Sequence, residues 1–114
     1  MTFQQSIRTC FSKYADLSGR ASRPEFWWYV LFIVIAGTAA STIHHVLGTL
    51  FYLATILPSI AVGARRLHDT GRSGWWQIIA LVPLFGAIVL LFFCAQEGVP
   101  GENAYGSPPI DETA

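Results

Sequence analysis

The 39 residues from Phe26 to Ala64 contain no Asp, Glu, Lys or Arg, and neither do the 22 from Trp75 to Gln96. A helix needs about 20 apolar residues to cross a bilayer core. The first gap is therefore close to two crossings and the second is one. Charged residues make up 12% of the chain, against the roughly 25% usual in soluble domains, and 53% are hydrophobic. No carboxylate lies inside either gap, which disfavours an ion-coupled transporter. There is no Walker loop and no G-x-G-x-x-G, so nucleotide binding is excluded. Of the two cysteines, Cys10 falls before the first gap and Cys94 near the far end of the last. Three crossings would hold them a membrane's width apart, too far for a disulfide.

What is present is distributed unevenly. All seven basic residues (Arg8, Lys13, Arg20, Arg23, Arg65, Arg66 and Arg72) precede the second gap, while Glu97, Glu102, Asp111 and Glu112 follow it. Basic residues of short loops stay cytoplasmic. With three spans every basic residue falls inside, the N-terminus is cytoplasmic and the C-terminus periplasmic. With two spans the basic N-terminus and the basic loop would be split across the membrane. The apolar stretch is also too long, and too far from the start, for a secretory signal.

The pattern thus predicts an all-α integral membrane protein with transmembrane helices over about 24–43, 47–64 and 75–94, in a membrane domain of residues 1–97. Ser22-Arg23-Pro24-Glu25 has the form of a capping box that opens the first of them. The outer turn is expected at 44–48, where His44 and His45 read as interfacial polar residues rather than metal ligands. Residues 2–14 read as a short amphipathic helix lying on the leaflet, with Phe3, Ile7, Cys10, Phe11 and Tyr14 on one face. Residues 98–114, rich in Pro, Gly and acids, read as a flexible periplasmic tail. Small residues four apart (Ala36 and Ala40, Gly37 and Ser41, Ser59 and Gly63) permit close helix packing. Pro58 and Pro83 each free a carbonyl, of Ala54 and Ile79, and weaken their helices at similar depth.

Polar chemistry gathers at one level. Arg20, Arg23 and Glu25 precede the first span, and Arg65, Arg66, His68, Asp69 and Arg72 follow the second. Trp27, Trp28, Trp75 and Trp76 stand beside them as interfacial anchors. Three readings apply: the arginines and His68 engage anionic lipid or a partner; Glu25 and Asp69 tie the two segments together as ion pairs; or His68 and Asp69 form an acid–base pair. The last lacks a nucleophile or metal spacing, so no catalytic residue, metal or cofactor is expected.

Three blocks, Gly19-Arg20-Ala21-Ser22-Arg23-Pro24-Glu25-Phe26-Trp27-Trp28, Arg65-Arg66-Leu67-His68-Asp69-Thr70-Gly71-Arg72-Ser73-Gly74-Trp75-Trp76 and Gly101-Glu102-Asn103-Ala104-Tyr105-Gly106, resemble a bacterial family catalogued as domain of unknown function 805. The resemblance implies a compact helical domain in the bacterial inner membrane and assigns no reaction. The departure is a short link between the first two helices. The expected role is a non-enzymatic membrane module whose arginine-rich cytoplasmic rim meets anionic headgroups, a membrane-protein partner or a second copy, with no nucleic acid. The alternative is a subunit of a small oligomeric transporter or channel.

Overall fold

Ser22 starts the first long helix: its backbone is extended and its hydroxyl accepts from the Glu25 amide, with Pro24 inside the first turn. The Glu25 side chain does not return to close a capping box; it is drawn to an arginine instead. The computed structural model describes residues 2–109. Within them the elements are α1 (Phe3–Ser12), α2 (Arg23–Ile43), α3 (His45–Asp69), a 3-10 helix (Gly74–Leu81) and α4 (Phe85–Ala95), with one isolated bridge between Asn103 and Gly106. Asp111 and Glu112, part of the expected acidic tail, lie outside the described residues.

α2 and α3 form an antiparallel hairpin with a one-residue link. His44 ends α2 in extended backbone, and its ring Nδ1 accepts from the Val46 amide 3.1 Å away to start α3. Both helices are long and apolar enough to cross a membrane. Their large apolar side chains point outward: Ile35 is 58% exposed, Leu50 57% and Leu53 59%. A soluble core would bury them. Small residues line the seam, where Gly37 faces Tyr52 and Gly48 faces Ser41.

α3 runs five residues beyond the expected end at Ala64, carrying Arg65, Arg66 and Asp69 within the helix. Charge would ordinarily end an apolar helix at the membrane edge. Here these side chains are buried against their partners, so the helix continues to Asp69, and Gly71, with a φ of +80°, then turns the chain. Pro58 is accommodated inside α3, and the carbonyl it frees, Ala54, accepts from the Tyr14 hydroxyl. The Tyr29 hydroxyl of α2 donates to the Thr55 carbonyl and bonds the Ser59 hydroxyl, while the Thr55 hydroxyl donates to the Phe51 carbonyl.

The third apolar segment is not one helix. Residues before proline favour extended backbone, and Val82 (φ −84°, ψ 107°) follows that rule. The chain then reverses at Leu84, whose φ of +62° belongs to a tight turn closed by the Phe85 amide on the Pro83 carbonyl at 2.6 Å. Eight residues of 3-10 helix and eleven of α4 rise about 16 Å each, half of a core about 30 Å thick. The turn's backbone groups are paired locally: Val82 donates to Ile79 at 3.0 Å and Gly86 to Val82 at 2.9 Å. The segment enters beside His68 and leaves beside Arg66, a hairpin whose two ends share one level.

Two expectations fall with this. Cys94 lies at the arginine level, where Arg66 donates to its carbonyl, and not at the far side of the molecule. Residues 98–109 do not hang free opposite the arginines but fold onto them. Both cysteines are buried free thiols.

α1 begins at Thr2 with a capping box to Gln5. It packs across α2, with Phe3 edge-on to Trp28 (centroids 5.7 Å) and Phe11 edge-on to Phe32 (5.9 Å). Its buried residues are Ser6 and Cys10, so the inner face is more polar than the expected stripe.

The hairpin requires a residue without a side chain at Gly86, because a Cβ there would strike the Ile79 carbonyl. Gly86→Ala should lower stability by about 1–3 kcal/mol, read as thermal unfolding in detergent. Ile88→Ala, on an outward side chain 58% exposed, serves as the near-neutral reference.

Candidate functional site

The end of α3 brings two carboxylates and three guanidinium groups out of solvent. Arg65 and Arg66 are 0% exposed, and Glu25, Asp69 and Arg20 are nearly as buried. Arg65 pairs with Glu25 through Nη1 and donates from Nε to the Asp16 carbonyl at 3.2 Å. Arg66 pairs with Asp69 and donates to three carbonyls: Ala21 (3.0 Å), Cys94 (2.9 Å) and Gln96. Arg20 completes the layer, with Nε 2.9 Å from the other oxygen of Asp69.

Each arginine thereby joins segments far apart in the chain. Arg66 ties α3 to the lead-in of α2 and to the end of α4. Arg20 reaches the C-terminal segment, donating to the carbonyls of Val99 (2.5 Å), Gly101 (2.7 Å) and Gly106 (3.2 Å). That segment is fastened further by the Val99 amide on the Asp69 carbonyl (2.8 Å) and by Asn103 Nδ2 on the His68 carbonyl (3.0 Å). Tyr105 lies flat on the His68 ring, centroids 4.1 Å apart, while His68 Nδ1 meets the Gly19 carbonyl at 2.9 Å. At Gly98 a Cβ would collide with the Asp69 carboxylate, so only glycine lets the strap pass so close.

Of the residues expected to face lipid or a partner, Arg20, Arg65 and Arg66 are not available, because internal carboxylates and carbonyls occupy them. His68 is half-buried under Tyr105 and cannot pair as a base with the adjacent Asp69, whose oxygens hold two arginines. Arg72 sits with its guanidinium carbon 4.1 Å above the Phe93 ring. Arg23 is exposed at the mouth of a pocket with Trp27, Asp69 and Gly98. Trp27 meets Phe26 edge-on (5.1 Å) and Trp76 meets Phe93 (5.4 Å), while Trp75 is 78% exposed. Glu25 and Asp69 are ion-paired as described above. His44 and His45 stack at the opposite end, centroids 4.6 Å apart. Among the described residues no three His, Cys, Asp or Glu side chains are grouped to hold a metal ion.

Two members of the layer were not legible as such. Cys10 is buried and its thiol reaches Glu25 at 3.8 Å. Burial, and then the Glu25 charge, push the thiol up to about 12. Asp16 gives its carbonyl to Arg65, and its carboxyl is held below the usual range by the hydroxyl and amide of Ser18. Neither residue belongs to a recognisable spacing. Nη2 of Arg65 is buried without a hydrogen-bond partner, a cost that the Glu25 pair must offset.

Outward apolar helices, a half-depth hairpin and an inward charged layer define a small helical membrane protein. A family model described as "Protein of unknown function (DUF805)" matches residues 14–107, and the chain belongs to that family. It is similar to Inner membrane protein YhaI of Escherichia coli (strain K12), 44% identical over 103 residues covering 84% of this chain and 87% of the relative. Inner membrane protein YhaH of the same organism is 36% identical over 107 residues, covering 84% and 88%. Uncharacterized protein YiiR is 34% identical over 142 aligned positions, covering 97% and 92%. No solved structure matches the chain significantly. The family match contains every arginine and carboxylate of the layer and the strap as far as Ser107.

Asp69→Asn leaves two buried arginines short of charge and should cost about 3–5 kcal/mol, measured by unfolding in detergent. Arg66→Lys should not restore the loss seen for Arg66→Ala, since one ammonium cannot span the same four acceptors. Cys10 supplies an alkaline dependence. Its folded value lies above the unfolded one, so its contribution is complete below about pH 9 and is lost as pH rises towards 12. Cys10→Ala should flatten the decline in unfolding temperature over that window; an unchanged slope contradicts this account.

Proposed function

We propose that this chain is a non-enzymatic module of the bacterial inner membrane. In this reading α2 and α3 are its crossings and Gly74–Ala95 is a re-entrant hairpin entering from the arginine side. The basic residues left outside the buried layer meet anionic headgroups there. The observation that carries the reading is the division of the seven basic side chains. Arg20, Arg65 and Arg66 are consumed internally, while Arg8, Lys13 and Arg23 remain exposed, with Arg72 half-exposed. All four belong to segments at one end of the molecule. Basic residues at one end make that end cytoplasmic by the positive-inside bias. The N-terminus and the strap then share the cytoplasm, and the His44 turn faces the periplasm.

Each exposed basic residue near an anionic surface contributes about 1 kcal/mol, reduced by salt. The full chain should therefore unfold at higher temperature in phosphatidylglycerol bilayers than in phosphatidylcholine, and the combined Arg8→Gln, Lys13→Gln and Arg23→Gln variant should lose most of that difference. Equal unfolding temperatures of the wild type in both lipids would sink the reading. Single cysteines introduced at positions 2 and 107 of a Cys10→Ala, Cys94→Ala background should react with an impermeant maleimide from the same side. Labelling from opposite sides overturns the topology.

A further inference from the structure

We infer that the cleft between α2 and α4 holds one acyl chain of a phospholipid from the arginine-side leaflet, with the lipid phosphate at Arg23. The inference deepens the headgroup reading above by assigning one lipid to one place. A cavity of about 360 Å³ lies between α2, α3 and the hairpin. Its walls are apolar (Phe26, Val30 and Val34 on one side, Ala87, Leu91 and Cys94 on the other). Only Tyr29, Ser59 and Gln77 bring polar groups, and Tyr29 and Ser59 bond each other at 2.9 Å.

The rim pocket with Arg23, Trp27 and Gly98 continues the same two stripes. Arg23, Trp27, Val30 and Val34 recur along one face of α2. Ala87, Leu91 and Cys94 lead along α4 towards Gly98. The edge-on rings of Phe26 and Trp27 stand where the rim pocket meets the cavity. The rim pocket and the cavity share no lining residue, but Trp27 of the one is the chain neighbour of Phe26 of the other, so the mouth at Arg23 stands beside the apolar cleft. Asp69 also lines that mouth, but its charge is held by the buried Arg20 and Arg66, which leaves Arg23 as the cation open to a ligand there.

Length and volume select the occupant. From Arg23 to Val34 the cleft descends about 16 Å at 1.5 Å per residue, the depth of one leaflet of a core about 30 Å thick. A polymethylene chain about 4–5 Å across, from ordinary carbon–carbon contact distances, fills roughly 200–310 Å³ over that length. A helix about 10 Å across, from a partner or a second copy, needs roughly 1,250 Å³. The cavity has room for the first and is too small to enclose the second. Arg23 is exposed, so a phosphate reaches it without breaking the buried pairs.

The test is native mass spectrometry of the delipidated full chain in detergent with palmitoyl-lysophosphatidylglycerol, which carries one chain and one phosphate. The wild type should take up one molecule per chain in preference to the choline analogue. Ala87→Trp should abolish uptake, and Val30→Phe, filling the cleft from the opposite wall, should weaken it if Ala87→Trp does not fold. Arg23→Gln should weaken binding roughly fivefold and remove the headgroup preference. Shielding of Cys10 from maleimide reports that each variant keeps its fold. Undiminished uptake by a folded Ala87→Trp protein, or full competition by glycerol phosphate without a chain, overturns the inference. The two proposals separate cleanly. A single lipid lost in Ala87→Trp supports the cleft even where the wild type shows no bilayer preference, and a bilayer preference without saturable uptake leaves only the rim.

Discussion

Asp69 is the point on which the fold turns. One carboxylate, almost without solvent, takes Arg20 on one oxygen and Arg66 on the other, while its own backbone carbonyl accepts from Val99. Removing two charges from water costs several kcal/mol each, and their attraction alone does not reliably repay it. The balance here depends on the remaining guanidinium N–H groups, most of which find backbone carbonyls, with Nη2 of Arg65 the exception. Those carbonyls belong to residues 16, 21, 94, 96, 99, 101 and 106. The arginines thus bond to chain ends that would otherwise be loose: the lead-in to α2, the exit of α4 and the strap.

The hairpin depends on that layer. Neither half-length leg can cross the bilayer, and a 3-10 helix of eight residues is longer than most, since poorer hydrogen bonds usually keep such runs short. Its backbone is tolerable at membrane depth only against protein. α3 supplies the wall: Gln77 donates to the Ile60 carbonyl at 3.1 Å and lies against Gly63. Arg66 holds the returning leg at its exit and Arg72 covers Phe93. The arginine layer and the hairpin are consequently one cooperative unit, and the cleft beside α2 exists because α4 returns to the rim instead of leaving on the far side.

Hydropathy carried part of this and could not carry the rest. The uncharged runs and the clustering of Arg, Asp, Glu and Trp at one level were legible, because membrane solvation acts on composition. Pro58 and Pro83 were legible as weak points, but their outcomes were not. Pro58 stays inside a straight-through helix because Tyr14, forty residues away, takes its freed carbonyl. Pro83 reverses the chain because Gly86, with no Cβ, lets the two legs approach, a relation of one backbone position to the Ile79 carbonyl seven residues before it. The strap was illegible for a different reason. It is held mainly by its backbone carbonyls, which every residue possesses, so a segment of Gly, Pro and acids looks unstructured although Arg20 orders it. Burial of Arg65 and Arg66 against Glu25 and Asp69 was one of the readings the sequence offered, but a basic pair in a short polar stretch has the same composition whether it meets lipid or carboxylate.

Position explains why charge suits this layer where apolar packing would not. Replacing a buried ion pair with hydrophobic residues often preserves stability, so net energy alone does not account for five charged groups. Apolar residues at 65, 66 and 69 would extend α3 as a uniformly greasy cylinder, free to slide in depth and to pair with any apolar face. Guanidinium groups enter the hydrocarbon unpaired only at high cost, and each fork donates best to carbonyls or carboxylates set in its plane. The layer therefore fixes how deep α3 sits and which segments surround its end. It does so through partners drawn from three other parts of the chain, the lead-in to α2, the exit of α4 and the strap.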